Sequence, residues 1–275
     1  MEYRRILTIQ DISCVGQCSL TVALPILSAC GHETCVLPAS VLSTHTGGFG
    51  APAITNLTSS MDAIWRHWQR QNITFDAIYT GYLGSVDAVR TASEIADALL
   101  APDGILIVDP AMADHGKLYR GLDTAYMNAM WAFCLRADVM LPNITEAAMM
   151  TGIPYLDSYD EAYVRNLLEQ LGGKDVVLSG VGFTPEQTGA AIRCNGEIFF
   201  YSHSKIGASY SGTGDIFASA FTGAYMQGKT LERAVQIAAD YTCQCIRNTF
   251  EQPAHWYGVK FETAIPYLIK LLCES

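Results

Sequence analysis

Short apolar runs alternate with helix-patterned segments along most of this chain, and that alternation limits the fold more than any single residue does. The apolar runs fall at 5–10, 35–38, 76–80, 105–108, 139–141, 175–179, 189–194 and 197–201. Apolar residues at helical spacing cover 20–29, 61–71, 87–100, 122–135, 143–151, 159–171, 213–227, 231–248 and 261–273. Strands separated by helices pair in parallel, because each helix serves as the crossover. The pattern therefore predicts an α/β fold with a central, mostly parallel sheet and helices on both faces. Asn195-Gly196 is a tight-turn signal, so the runs on either side of it form an antiparallel hairpin toward one edge. No repeat, linker or low-complexity segment interrupts residues 1–275, which read as one domain.

Half of the 275 residues are hydrophobic and 16% are charged, which supports a large core and excludes disorder. Seventeen basic against 27 acidic residues give a formal charge of −10. So acidic a chain argues against nucleic acid or an anionic membrane as partner. The apolar run at the N-terminus is too short for a signal peptide, and no run is long enough to span a membrane. A cytoplasmic location is the expectation. The nine cysteines are an odd count, and Cys30, Cys134 and Cys273 sit in apolar contexts, which reads as buried thiols in a reducing compartment. Cys14-x-x-x-Cys18 and Cys243-Gln-Cys245 lack a second pair at zinc-site spacing, so no metal site is read from them.

In open sheets of this kind ligands bind beyond the carboxyl ends of the strands. The polar residues expected there are Gln10-Asp11, the stretch 44–48, Gly81-Tyr82, Asp109, Asn143 and Ser179. Residues 39–56, rich in Ser, Thr and Gly, read as a working loop. Ser211-Gly212-Thr213-Gly214-Asp215 opens a helix. Its free N–H groups and positive end suit a phosphate. Asp215 there either caps the helix or takes a proton from an attacking alcohol. Asn143 and Glu146, three apart, share a helical face and form either a capping box or, with Asp109, a set of oxygen ligands for Mg²⁺ near the phosphate. Asp109-Pro110 also reads as a strand-ending turn. The stretch 223–230 matches a P-loop letter for letter, but no strand precedes it; it reads as a helix end followed by the next helix cap.

Taken in order, these segments resemble the ribokinase-like kinases, and within them the vitamin B6 branch of pyridoxal and pyridoxamine kinases. The carrying segments are Ile9-Gln10, His45-Thr46-Gly47, Thr80-Gly81-Tyr82, Val108-Asp109-Pro110, Pro142-Asn143-x-x-Glu146 and Gly212-Thr213-Gly214-Asp215. The resemblance implies a three-layer α/β/α fold. It implies transfer of phosphate from ATP to a hydroxymethyl group on a pyridine ring, with Mg²⁺. Asp215 would be the base, and Gly212, Thr213 and Gly214 the anion hole. Asp109, Asn143 and Glu146 would organise Mg²⁺ and phosphate, with Asp109 and Glu146 nearest the ion, directly or through water. Thr46, Gly47 and Tyr82 would face the ring, and Ser179 the nucleotide; Asp11, at the carboxyl end of the first strand, is either a further contact to the ring or its amine, or a solvated loop carboxylate. Family members are commonly homodimers and often use a monovalent cation. The chain departs from the family pattern at Asp11, where Ser is frequent, at Gly48, where an aromatic is common, and at Ala113, where Gly is common. These departures bear on the preferred vitamer.

Rival readings are a hydroxymethylpyrimidine kinase or a sugar kinase of the same fold, and a non-catalytic vitamer-binding protein. Little room exists between residues 30 and 60 for the sheet lid usual in the sugar kinases. No Gly-x-Gly-x-x-Gly follows the first strand, which excludes the dinucleotide-binding class. His45 reads as a ligand, a base or a loop residue satisfied by hydrogen bonds. The polar stretch 113–121 reads as a flap or a surface loop.

Overall fold

The computed structural model describes residues 3–207, 210–250, 252 and 254–274. Eleven strands and nine α-helices follow one another in the described residues. In chain order the first half runs β1 (Arg5–Ser13), α1 (Leu20–Ala29), β2 (Glu33–Leu42), β3 (Ile54–Asn56), α2 (Thr58–Arg70), β4 (Phe75–Thr80), α3 (Val86–Leu99), β5 (Leu100–Val108), β6 (Ala113–Asp114) and β7 (Lys117–Leu118). The second half runs α4 (Thr124–Cys134), β8 (Val139–Met140), α5 (Ile144–Thr151), α6 (Glu161–Gln170), β9 (Asp175–Ser179), β10 (Gln187–Cys194), β11 (Glu197–Ser204), α7 (Thr213–Met226), α8 (Leu231–Phe250) and α9 (Ile265–Cys273).

Nine strands form one sheet in the order β11-β10-β9-β8-β5-β4-β1-β2-β3. The six from β9 to β2 pair in parallel. The expected β10–β11 hairpin lies antiparallel at one edge. The other edge is also antiparallel: β3 folds back on β2 from within the 39–56 stretch, which is therefore loop only in part. Side chains of each parallel strand alternate between two cores. Leu7, Ile78, Leu106 and Met140 meet helices α2 to α6. Ile6, Ala77, Ile107 and Val139 meet α1, α7, α8 and α9. Burial on both faces is what selects the near-continuous apolar strands read from the sequence.

From β1 the chain crosses to β2 on one side, then returns past β1 to β4 on the other. This reversal opens a crevice beyond the carboxyl ends of β1 and β4.

The P-loop-like stretch has a different role. Gly223 lies inside α7, where a side chain would collide with Cys30 of α1. Gly228 takes φ +84° just after the helix, and Thr230 Oγ1 accepts from Arg233 N at 3.2 Å as the cap of α8. Lys229 Nζ donates to the Glu274 carbonyl, 3.0 Å away. All nine cysteines are free thiols; Cys30 and Cys134 are buried as expected, but Cys273 is exposed because its end of α9 faces solvent. No helix among the described residues is long and apolar enough to cross a membrane.

A surface lysine paired with a chain-end carbonyl contributes little. Lys229→Ala is therefore expected to leave the KM for ATP within about twofold. A large rise in that KM, in steady-state kinetics, would show that the stretch binds phosphate after all.

Candidate active site

The first turn of α7 forms the floor of the crevice. Gly212 holds φ +82°, a left-handed conformation that favours glycine, and a side chain there would press on the Gln17 carbonyl at 3.1 Å. The first helical hydrogen bond runs from Ile216 N to Gly212 O. The N–H groups of Thr213, Gly214 and Asp215 precede it and lack a partner within the helix. Space in front of Gly214 is open: a side chain there would meet no protein atom within 4 Å. An anion can therefore approach this backbone closely.

Asp215 does not cap its own helix; α7 has no side-chain cap. Its carboxylate reaches across to the β1–α1 loop, where Oδ2 accepts from Ser19 N at 3.1 Å. The Cys18 thiol also lies beside it, its hydrogen bond going to Gly16 O at 3.8 Å. Burial pushes the Asp215 carboxyl up to about 6, with the Ser19 N–H opposing and the Asp11 charge reinforcing the rise. The loop that supplies Ser19 is strained. Gln17 and Ser19 take φ +44° and +57°, unusual for residues with side chains. Of the six such residues described, Ala111 also adjoins the site, its N–H on Asp109 Oδ1.

Asp11 lies at the carboxyl end of β1. It is 3% exposed, which rules out a solvated loop carboxylate. Its backbone N–H donates to Tyr82 O at 3.2 Å, and Ser13 Oγ donates to its Oδ2 at 3.0 Å. Tyr82 follows β4 and is half-buried; with Leu42, Gly84 and Arg120 it lines a cavity of about 200 Å³. Thr46 and Gly47 are exposed in the loop after β2, and a side chain on Gly47 would come within 2.7 Å of Ser211 Oγ. His45 is buried and fully engaged. Its Nδ1 accepts from Gly47 N at 3.0 Å, so its Nε2 must be the nitrogen that donates to Tyr257 O at 2.7 Å. It is a loop pin and neither a ligand nor a base.

On the other side of Asp215, Asp109 ends β5 with its Oδ1 accepting from Ala111 N at 3.1 Å. Burial, then the Glu146 and Asp215 charges, hold its carboxyl well above the usual range. Asn143 and Glu146 form a full capping box on α5: Asn143 Oδ1 accepts from Glu146 N, and Glu146 Oε2 from Asn143 N, both at 2.9 Å. Glu146 does more than cap. Its Oε1 also accepts from Met112 N at 2.8 Å and Ala113 N at 3.3 Å, while Asn143 Nδ2 donates to Ala113 O at 2.7 Å. Glu146 is pushed up to about 7 by burial, against these backbone donors. Ser179 sits beside Asn143, its N–H on the Pro142 carbonyl at 2.9 Å. The 113–121 stretch is a docked hairpin of β6 and β7, tied by Gly116 N to Thr145 Oγ1 at 3.1 Å. It carries Tyr119 beside this carboxylate group, and burial plus the Glu146 charge raise the Tyr119 hydroxyl.

Two groups of carboxylates thus meet at Asp215, and all four are shifted upward. Buried and like-charged, they favour positive charge near Asp109. No three His, Cys, Asp or Glu side chains among the described residues can close on one ion. That donor set fits Mg²⁺, which binds through one or two carboxylates and keeps waters for phosphate contacts. The roles of Ser19 and Tyr119 were not readable from the sequence; the polar segments 13–19 and 113–121 were the available signals. A larger cavity, about 470 Å³, is lined by Asp138, Lys174, Asp175 and Asn195. It lies at the opposite end of the sheet, away from every one of these groups, so size does not identify the site.

Two outcomes follow from this geometry. Glu146→Gln puts an amide N–H against Asn143 N–H and is expected to cost about 1–3 kcal/mol in chemical denaturation. Unchanged stability would contradict the clamp. Asp215 and Glu146 rise from 3.8 to about 6 and from 4.5 to about 7 on folding. The folded protein then binds more protons than the unfolded chain across that window, and stability falls as pH rises through it. The melting temperature of the ligand-free protein is expected to drop between about pH 5 and pH 7. A rise over that interval would overturn the assignment.

Comparison with known proteins carries the fold into a family. The phosphomethylpyrimidine kinase family model matches residues 44–259. The crystal structure of pyridoxal kinase from Lactobacillus plantarum superposes with a TM-score of 0.89 at 32% identity, over 98% of this chain and 97% of that one. The hydroxymethylpyrimidine/phosphomethylpyrimidine kinase of Bacillus subtilis is 25% identical over 219 residues, 78% of this chain and 77% of that protein. The pyridoxal kinase of Dictyostelium discoideum is 25% identical over 236 residues, 80% of this chain and 77% of its own length. With the glycine turn, the switch-point crevice and the carboxylates already in place, the chain belongs to the phosphomethylpyrimidine kinase family, in the ribokinase-like branch that includes the pyridoxal kinases.

Proposed function

We propose that this kinase transfers the γ-phosphoryl group of ATP to the 5′-hydroxymethyl group of a vitamin B6 vitamer, with Asp215 as the base. The observation that carries the reading is Asp215 itself. It stands beside helix N–H groups that have no partner within the helix and an open glycine, between Asp11 and the carboxylates at Asp109 and Glu146.

The vitamer hydroxyl sits within hydrogen-bond reach of Asp215, in line with the γ-phosphorus. Its oxygen forms the new O–P bond as the bond to the β-phosphate oxygen breaks, and ADP leaves. The hydroxyl proton passes to Asp215. A carboxyl pushed up to about 6 is ionised at neutral pH yet a better acceptor than an ordinary aspartate. Ser19 N–H fixes its orientation. The N–H groups of 213–215 take up charge on the transferring phosphoryl group. Asp109, with Glu146 and Asn143 behind it, would hold Mg²⁺, which neutralises phosphate charge when bound. Ser179 and the end of β9 are placed for the nucleotide side. Thr46, Gly47 and Tyr82 border the ring side.

A hydroxymethylpyrimidine acceptor is the second reading, favoured by the family match over residues 44–259. An ATP-consumption panel of pyridoxal, pyridoxamine, pyridoxine, hydroxymethylpyrimidine and several sugars separates the two. The expected outcome is turnover of at least one vitamer above the pyrimidine and none of the sugars. Asp215→Asn is expected to keep vitamer binding and lose about 10²–10⁴-fold in kcat. The wild-type kcat/KM should fall below about pH 6, as Asp215 is protonated. A variant within a few-fold of wild type would remove Asp215 from the chemistry.

A further inference from the structure

Asp11 is a buried carboxylate. It accepts a hydrogen bond from the Ser13 hydroxyl, which is neutral. None of the ion pairs formed among the described residues includes it. His45 is near it, but both ring nitrogens are engaged elsewhere, Nδ1 with Gly47 N and Nε2 with Tyr257 O. The other charge it meets is the like charge of Asp215. A charge so placed is costly unless something cationic completes it.

The local backbone is arranged around this residue. The β1–β2 register shifts between Gln10 and Ile12: Gln10 pairs with Pro38 and Ile12 with Val41. The extra residue is on β2, where Ala39 and Ser40 stand opposite Asp11 alone, so the ladder is interrupted at this residue. Asp11 N–H turns instead to Tyr82 O on the opposite neighbour. Tyr82 and Leu42, which flank this end of β1, line the cavity of about 200 Å³. Arg120, on the turn after β7, lines the same cavity and gives it a positive side.

We propose that Asp11, which does not line this cavity but is bonded through its N–H to the Tyr82 that does, makes the acceptor site select the cationic form of its acceptor, through an N–H⁺ group on the ring or on a ring substituent. This rests on the functional reading above and adds a specificity-determining residue to it. An ionised carboxylate held by the Ser13 hydroxyl pairs with such a group by a charge-assisted hydrogen bond, and the desolvated setting strengthens it. A neutral acceptor of the same shape leaves the carboxylate unpaired.

The test is calorimetric binding to wild type, Asp11→Ser and Asp11→Asn. The ligands are pyridoxamine, pyridoxine and a carbocyclic pyridoxine analogue with CH in place of the ring nitrogen. Wild type is expected to bind pyridoxine or pyridoxamine about tenfold or more tightly than the carbocyclic analogue. Both variants are expected to lose that preference while binding the analogue within about twofold of wild type. A loss confined to pyridoxamine identifies the amine as the partner; equal losses for both natural ligands identify the ring nitrogen. The inference is overturned if wild type shows no preference over the analogue, a measurement that does not depend on the variants folding. It is also overturned if the variants weaken all three ligands equally. In both cases wild-type turnover of vitamers would leave the kinase reading standing. A wild type that binds and phosphorylates no vitamer removes the reading and the inference together.

Discussion

The hydrogen bond from Ser19 N–H to Asp215 Oδ2 joins residues 196 apart in sequence, and the site is organised around it. It fixes the β1–α1 loop against the first turn of α7, so that the strand end carrying Asp11 and the helix end offering free N–H groups face one crevice. The loop reaches this position only with Gln17 and Ser19 in left-handed conformations, and with Gly16 at φ +99°, where a side chain would collide with His45. Backbone strain of this kind persists where surrounding contacts over-determine it. Here those contacts are Asp215, the His45 pin to Gly47 and Tyr257, and the Gly212 turn beneath.

The second constraint is electrostatic. Four carboxylates are gathered where the sheet reverses, and each is held against burial by backbone N–H groups or hydroxyls, with no basic side chain pairing with any of them among the described residues. That arrangement lowers stability at neutral pH and favours positive charge from outside; on the proposed function this would be a metal ion on the Asp109 side and a cationic ring on the Asp11 side. The acidic net charge of the chain is no obstacle to a phosphate-transferring enzyme, since backbone donors at 213–215 would meet the anion.

Much of the fold was legible because parallel strands buried on both faces must be apolar throughout, and their polar terminators mark the carboxyl ends. Asp109, Asn143 and Ser179 were found that way. The Gly212 turn was legible for the same kind of reason, a backbone conformation only glycine takes easily. Several features were not legible because they depend on long-range pairing. The short strand Ile54–Asn56 is decided by an edge position beside β2, and the hairpin at 113–118 by Glu146 and Thr145, some 30 residues on. The sequence left Glu146 between cap and metal ligand; the structure makes it a cap that also clamps the Met112-Ala113 backbone. Whether Asp11 was solvated turned on its burial, which spacing does not reveal. Ser19 contributes through its backbone N–H, which no side-chain motif can announce.

The central claim is that one crevice, at the reversal between β1 and β4, brings an acceptor hydroxymethyl group to Asp215. A crystal structure of the protein with a non-hydrolysable ATP analogue, Mg²⁺ and pyridoxine tests it most directly. The account predicts the hydroxymethyl oxygen about 2.6–3.2 Å from an Asp215 carboxylate oxygen, facing the γ-phosphorus over Gly214. A vitamer bound elsewhere, or one whose hydroxymethyl group points away from Asp215 while the nucleotide is in place, would contradict it.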